Sequence, residues 1–249
     1  QTGKWHCWVS NQGGHNHFQL LKQVGAPREL FKEMSDAVGT TYYSSNKKDD
    51  KPVILNLPKE AKPLWNGGDS LQKLHALKFV MERGLEMSDI IRYNLHYCLN
   101  GQYQNRIIIP SYDSDGKLNY FVGRDFYKGG MKYKNPQASK NVVFNALFTN
   151  WNNDLVIVEG IFDAINAGNA VPILGSTLRT DSDLLRKIVR NDTPCYIALD
   201  PDAADKERRI IQTLLRYDVE LYKIDVTGYE DVGAMPQKIF QERKVKATF

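Results

Sequence analysis

The sequence has few cysteines and no long apolar run, and each scarcity excludes a class of protein. Three cysteines, Cys7, Cys98 and Cys195, are too few and too scattered among 249 residues for a disulfide framework. We therefore expect a reducing, cytoplasmic compartment. No apolar run approaches the ~18 residues that a membrane-spanning helix needs, so no membrane partner is expected. The chain begins at Gln1 rather than Met, and we expect that an N-terminal portion is absent.

Net charge is also small, at +4 from 33 basic and 29 acidic residues, but its distribution is uneven. Basic and acidic residues number 13 and 10 up to residue 100, 7 and 3 from 101 to 150, and 13 and 16 from 151 onward. A basic middle beside an acidic end suits a nucleic acid or nucleotide held next to a divalent metal, because phosphates need cations and metals need carboxylates. Chance clustering of solvated charges explains such small counts equally well.

Four short apolar runs organise the C-terminal part of the chain. Apolar residues at helical spacing follow each of the first three runs, which predicts strands alternating with amphipathic helices. The runs are 155–158, 171–175, 195–199 and 219–224. Such alternation predicts βαβ crossovers and therefore an α/β fold, a mainly parallel sheet with helices on both faces. Ligands of such sheets bind at the carboxyl ends of the strands.

Acidic residues follow three of these predicted strands. Glu159 follows the first strand, Asp200 and Asp202 follow the third, Asp163 lies one turn into the first helix, and Asp231 follows the last strand. In an extended chain Asp200 and Asp202 project to one side and repel unless a cation lies between them, and Mg²⁺ or Mn²⁺ prefers such hard oxygen ligands. Helix capping or simple solvation is the alternative. It explains Asp163 and Asp231 as well as ligation does, whereas the recurrence of acids at strand ends favours ligation for the other three.

The segment 106–148 predicts an antiparallel hairpin rich in basic residues. Strands at 106–113 and 118–124 flank a turn at 114–116, and Tyr133 and the segment 142–144 are predicted to add edge or return strands. Several basic residues adjoin aromatics, a mixture that suits base stacking beside a neutralised phosphate backbone, although it is also common on ordinary half-exposed strands. The basic residues are Arg106, Lys117, Arg124, Lys128, Lys132, Lys134 and Lys140.

The first hundred residues predict short helices on either side of a polar linker. Helices are expected at 18–24, 29–38, 69–83 and 89–93, the third capped by Asp69 or Ser70 and the fourth by Ser88. The linker spans 40–51, and a proline-containing extended segment follows it. The buried side of the third helix is predicted to comprise Leu71, Leu74, Leu77, Phe79 and Val80.

Several of these segments together resemble a known family. The segments 158–163 (Val-Glu-Gly-Ile-Phe-Asp), 174–177 (Leu-Gly-Ser-Thr) and 198–204 (Ala-Leu-Asp-Pro-Asp-Ala-Ala) resemble the Toprim fold of DnaG-type primases, topoisomerases and some nucleases. The preceding segments narrow the resemblance to the DnaG-type primase core. Residues 106–124 are similar to its hairpin, 132–136 and 139–140 to its lysine motifs, 79–88 to its helical entry, and 5–14 to the distal half of its zinc ribbon.

The resemblance implies a DNA primase, most like the bacteriophage enzymes that work with a replicative helicase. Such an enzyme makes short RNA primers from ribonucleoside triphosphates on single-stranded DNA, in a bacterial or infected host cell. It implies a zinc-ribbon-like remnant and helix at 1–38, a linker and extended segment at 39–68, a basic subdomain at 69–150 and a Toprim subdomain with a C-terminal helix at 151–249. The implied site residues are Glu159, Asp200 and Asp202 for Mg²⁺ or Mn²⁺, Asp163 and Asp231 in support, and Arg106, Arg124, Lys132, Lys134 and Lys140 for nucleotide or template.

Three departures from the family pattern qualify these implications. Ser10 occupies a position where a cysteine is expected, so Cys7 is left as a lone candidate zinc ligand and a metal-free remnant is favoured. Pro201 replaces the glycine between the two aspartates, and the outer acidic run is reduced to Glu230 and Asp231. Two other functions stay open: a metal-dependent Toprim nuclease, and a non-catalytic subunit that binds nucleic acid or a helicase.

Overall fold

The computed structural model describes residues 4–10, 12–38, 55–66, 68, 70–127, 129–175 and 177–248. The predicted linker at 40–51, the candidate cap Asp69 and the basic residue Lys128 lie outside the described residues. No helix in the described part of the chain is long and apolar enough to span a bilayer.

The N-terminal unit is a small hairpin followed by two helices. Its elements are β1 (Trp5–Cys7), β2 (Gln12–Gly14), α1 (His17–Gln23) and α2 (Arg28–Val38). Asn16 caps α1 by accepting a hydrogen bond from the backbone N–H of Gln19 at 2.9 Å. Phe18 and Phe31 are buried in the same apolar cluster as Leu185 and residues of the C-terminal half. The unit is therefore packed onto the C-terminal subdomain rather than separate from it.

A five-stranded antiparallel sheet and two helices form the middle of the chain. Its elements are β3 (Lys62–Pro63), α3 (Leu71–Met81), α4 (Met87–Arg92), β4 (His96–Cys98), β5 (Arg106–Tyr112), β6 (Leu118–Asp125) and β7 (Tyr133–Lys134). The strands lie in the order β3-β4-β5-β6-β7. The predicted hairpin is confirmed as β5 and β6, with Gly116 at φ 77° in the turn that joins them, and the predicted edge strand as β7.

Three predictions in this region were wrong. The segment 142–144 forms no strand, because Val143 and Phe144 are buried in apolar clusters and a 3₁₀ helix at Ala146–Phe148 follows them. Ser70 is confirmed as the cap of α3, but α4 begins before Ser88 and uses a capping box in which Asp89 accepts from the N–H of Glu86. The buried side of α3 excludes Leu71 and Leu74, which are 65% and 47% exposed; it comprises Lys73, Ala76, Phe79 and Val80.

The C-terminal half confirms the predicted α/β fold. Its elements are β8 (Leu155–Val158), α5 (Ile161–Ala167), β9 (Ala170–Pro172), α6 (Asp183–Arg190), β10 (Cys195–Ala198), α7 (Ala204–Leu215), β11 (Leu221–Lys223) and α8 (Gln237–Val245). The four strands are parallel, in the order β11-β10-β8-β9. All four residues of β8 are buried, since helices cover both faces of the sheet, and the strand is therefore a continuous apolar run in the sequence.

Helix α5 joins the parallel sheet to the antiparallel one. Ile161, Phe162 and Ile165 belong to the apolar cluster that fills the middle of the chain, and the rings of Phe162 and Phe79 meet edge to face at 6.2 Å between centroids. This packing places the carboxyl end of β8 against the face of the antiparallel sheet that carries Val122. The two sheets therefore enclose a cleft at the strand ends.

Candidate metal and nucleotide site

Four of the five predicted acids meet in this cleft. Strands β8 and β10 are neighbours with Val158 opposite Ala198, so the residues that follow them emerge at the same edge. The cleft has a volume of about 330 Å³, and its charged and polar lining comprises Arg83, Lys132, Tyr133, Asn135, Glu159, Asp163, Asp200 and Asp231. Asp202 is exposed and is not part of this lining.

The segment that carries Asp200 and Asp202 is a turn, not the extended chain that was predicted. The N–H of Ala203 donates to the carbonyl of Asp200 at 2.9 Å, which closes a four-residue turn with Pro201 at its second position. Proline favours this position because its ring fixes φ. The turn leaves Asp200 half-buried in the cleft and Asp202 in solvent. The prediction that both carboxylates project side by side was therefore wrong.

Asp200 lies in the most unfavourable electrostatic environment of the site. Its Oδ1 atom is buried and has no hydrogen-bond partner. Burial, followed by the negative charges of Asp163 and Glu159, raises the pKa of Asp200 to about 7, and Asp231 and Asp202 add to the effect. A buried, unpaired carboxylate oxygen among other carboxylates is an environment that a cation would relieve.

Asp163 makes contacts that favour the capping alternative. Its Oδ2 atom accepts from the N–H of Gly160 and its Oδ1 atom from the N–H of Gly233, each at 2.9 Å. A Cβ at Gly160 would lie 2.3 Å from Oδ2, so the close approach requires glycine. Burial and the charge of Asp231 raise the pKa of Asp163, while the two N–H donors oppose them. Asp163 thus ties the start of α5 to the loop that carries Asp231.

The chemistry of this donor set fits a hard divalent cation. Glu159 and Asp200 supply carboxylate oxygens at adjacent strand ends. The Oδ1 atom of Asp200 has no hydrogen-bond partner and is free to bind a cation. One oxygen of Glu159 accepts a charged hydrogen bond from Lys206 Nζ at 2.7 Å. In the described residues no three His, Cys, Asp or Glu side chains are grouped closely enough to hold a metal ion as they stand.

Two cationic side chains, Arg83 and Lys132, line the cleft with these acids, and a third, Arg124, is buried against Tyr133, which also lines it. Arg124 is 5% exposed, its Nε and Nη1 atoms have no hydrogen-bond partner, and its guanidinium lies 4.7 Å from the centroid of the Tyr133 ring. Arg83 lies over the rings of Phe79 and Phe162 at 5.0 and 5.3 Å. Lys132 and Arg83 also line a second hollow beside Asp231. Arg83 and Lys132 therefore form the positive wall of the cleft.

Arg83 was missed by the sequence predictions. It follows α3, where a single basic residue after a helical pattern carries no distinctive local signal. Its role at the cleft depends on the contact between α3 and α5, which are far apart in the sequence. The one available signal was its position inside the segment 79–88, which is similar to the helical entry of the primase core.

The remaining predicted basic residues do not all reach the cleft. Successive strand residues point to opposite faces of a sheet, and Arg106 lies on the face away from Arg124. Its Nη1 donates to the carbonyl of Met131 at 2.9 Å, and Lys134 Nζ donates to the carbonyl of Gln102 at 2.9 Å. Lys140 lines a neighbouring cavity of about 300 Å³. Arg106 and Lys134 therefore do not lie at the cleft between the two sheets.

Cys7, the candidate zinc ligand, lies in β1 and interacts with Ser10. Hydrogen bonds from Ser10 and from the backbone lower the pKa of the Cys7 thiol. The serine that replaces the expected cysteine is thus in contact with Cys7, and it is a poor zinc ligand.

The fold consists of a four-stranded parallel sheet flanked by helices and joined to a basic antiparallel subdomain, with the cleft between them. Several solved structures share this architecture, among them two primase structures. The DnaG primase catalytic domain bound to single-stranded DNA has a TM-score of 0.61 and 18% identity, over 72% of this chain and 74% of that chain. The E. coli primase catalytic core has a TM-score of 0.59 and 19% identity, over 72% of this chain and 75% of that chain.

One relative found by sequence is also a DNA primase. The DNA primase of Clostridium acetobutylicum is 25% identical over 256 residues, which cover 79% of this chain and 42% of that protein. The chain therefore spans less than half the length of this relative. The sequence matches no protein-family model. These findings confirm the resemblance to DnaG-type primases, and the fold is that of the DnaG catalytic core.

Proposed function

We propose that this chain is the catalytic core of a DNA primase, which joins ribonucleoside triphosphates into short RNA primers on single-stranded DNA. One observation carries the proposal: an acidic strand edge with an unpartnered Asp200 oxygen faces Arg83 and Lys132 across one cleft, on a DnaG-type fold. Nucleotidyl transfer needs this pairing, because a divalent ion must be held by carboxylates while cations hold the triphosphate.

The proposed ligands of Mg²⁺ or Mn²⁺ are Glu159 and Asp200, which line the cleft, together with Asp202, which lies outside the lining and is proposed from the family resemblance alone. When bound, the ion neutralises triphosphate charge and lowers the pKa of the attacking 3′-hydroxyl. Asp163 holds the two backbone segments that carry Glu159 and Asp231 at a fixed separation, through its hydrogen bonds to Gly160 and Gly233. We assign it a supporting role for this reason.

The cationic wall supplies the proposed contacts to nucleotide phosphates. Lys132 and Arg83 line the cleft opposite the acids. Arg124 has two buried guanidinium nitrogens without partners, a costly state unless a phosphate or carboxylate accepts from them. The ring of Tyr133 keeps this guanidinium in place by stacking. Arg124 does not itself line the cleft and reaches it only through Tyr133, so a contact to phosphate would require its buried nitrogens to become exposed.

The proposed partners of this chain are a single-stranded DNA template and a replicative helicase. Single-stranded DNA is bound by the DnaG catalytic domain that this fold matches, and we propose the same partner here. A replicative helicase and the likeness to bacteriophage primases stay predictions. The C-terminal helix α8 buries Phe240 in the core, as an ordinary covering helix does.

The test is incorporation of labelled ribonucleotides on a defined single-stranded template. We expect synthesis only with Mg²⁺ or Mn²⁺, and loss of at least 100-fold, roughly, in Asp200→Ala and Asp202→Ala, because a metal ligand is removed. Asp36→Asn is the matched control, since its carboxylate pairs with Arg190 far from the cleft. Metal-dependent degradation of nucleic acid without triphosphates would identify a nuclease instead, and DNA binding without synthesis a non-catalytic subunit.

A further inference from the structure

Lys206 is an unusually covered lysine at the edge of the acidic cluster. Its Nζ atom lies 2.7 Å from Oε1 of Glu159, and its side chain is 13% exposed. This is the least exposed cation among the salt bridges of the described residues. On the same helix, Glu207 pairs with Lys223 at 2.9 Å, but that lysine is 55% exposed. An ordered, covered lysine costs side-chain entropy, so its position requires a physical reason.

The chain path explains how Lys206 reaches Glu159. Asp200 follows β10, the four-residue turn ends at Ala203, and α7 begins at Ala204, which places Lys206 in the first turn of the helix. The same turn and helix therefore carry two of the proposed metal ligands and a cation directed at the third. A lysine ammonium is a compact point charge, and it stands where a small cation would be attracted.

We propose that Lys206 is a positioning residue that occupies Glu159 as an internal cation when no divalent ion is bound, so that Lys206 and the metal compete for one carboxylate. The inference rests on the proposed function, since it takes Glu159 to be a metal ligand. The ammonium offsets part of the repulsion among the acids in the metal-free protein. A positive charge so close to a dication also weakens its binding. The ion would then bind tightly only together with a triphosphate, whose negative charge attracts Lys206 away from Glu159.

Calorimetric titration of the full chain with Mn²⁺, without nucleotide, tests this competition. We expect Lys206→Gln to bind Mn²⁺ about tenfold more tightly than wild type, because a nearby like charge is removed. Lys206→Arg keeps the charge and should bind within about twofold of wild type. Lys223→Gln, which breaks the exposed pair to Glu207, is the matched control and should not change the affinity. Without metal, Lys206→Gln alone among these variants should have a lower Tm than wild type. Saturating Mn²⁺ should remove this difference in Tm.

An Asp200→Asn titration separates this inference from the metal site itself. If neither wild type nor Lys206→Gln binds Mn²⁺, or if wild type binds it and Asp200→Asn binds it equally well, the proposed metal site is wrong and the role of Lys206 fails with it. If wild type binds and Asp200→Asn does not, equal or weaker binding by Lys206→Gln overturns the role of Lys206 alone. Circular dichroism of each variant establishes that it is folded.

Discussion

Neutralising Asp200 should stabilise the metal-free protein, although Asp200 is a proposed catalytic ligand. The pKa of Asp200 rises from 3.8 to about 7, first because of burial and then because of the neighbouring acids. The folded state therefore holds this proton more tightly than the unfolded state does, and the ionised form reduces stability. The penalty is absent below about pH 4, grows as pH rises, and is complete above about pH 7.

The magnitude follows from the same shift. At full strength, a rise from 3.8 to about 7 corresponds to about 4 kcal/mol. Asp200 is only half-buried, so solvent screening reduces the penalty, and we expect about 1–2 kcal/mol. For a domain of this size, that is a rise in Tm of about 2–8 °C.

Urea denaturation in the presence of a chelator measures this difference. At pH 8 the free energy of unfolding of Asp200→Asn should exceed that of wild type by about 1–2 kcal/mol, and near pH 4 the two should converge. Added Mg²⁺ should stabilise wild type more than Asp200→Asn. Asp202→Asn is the matched control, because Asp202 is exposed and makes the smallest contribution to the shift of Asp200. An Asp200→Asn protein that is no more stable than wild type at pH 8 would refute the electrostatic reasoning.

Two further predictions concern the cationic wall and the thiols. Arg83→Gln should raise the KM for triphosphates roughly tenfold or more, because a cation facing the acids is lost. Arg92 also lies over aromatic rings but outside the cleft, so Arg92→Gln should leave this KM unchanged. Steady-state kinetics measure both values, and an equal rise in KM in the two variants would contradict the role of Arg83. Of the three cysteines only Cys7 should react with a thiol reagent in the native protein, since burial raises the pKa of Cys98 to about 12 and also raises that of Cys195; fast labelling of two or more thiols would contradict the packing.

Local periodicity predicted the parallel sheet because three of its four strands, β8, β9 and β10, are short apolar runs. Residues 155–158 are buried on both faces of the sheet, so four consecutive residues of the sequence are apolar. The acids at the strand ends were predictable for the same reason: once Val158 and Ala198 end neighbouring parallel strands, the residues after them must share an edge.

The features that escaped prediction depend on contacts between distant segments. Which face of the antiparallel sheet Arg124 occupies is fixed by packing against α5, and the docking of Phe18 on the C-terminal core joins residues more than 150 positions apart. The turn at Asp200 is a different case. Its proline favours a turn, whereas the spacing of the two acids favours an extended chain, and the hydrogen bond from Ala203 to Asp200 shows that the turn forms.

The proposed function of this acidic edge is metal-dependent primer synthesis. Its most direct test measures labelled ribonucleotide incorporation over a library of single-stranded templates with different trinucleotides, with Mg²⁺ and with a chelator. We expect RNA products with Mg²⁺ on some of the templates, no products with the chelator, and none from Asp200→Ala. Equal incorporation by Asp200→Ala, or synthesis that persists in the chelator, would contradict the assignment.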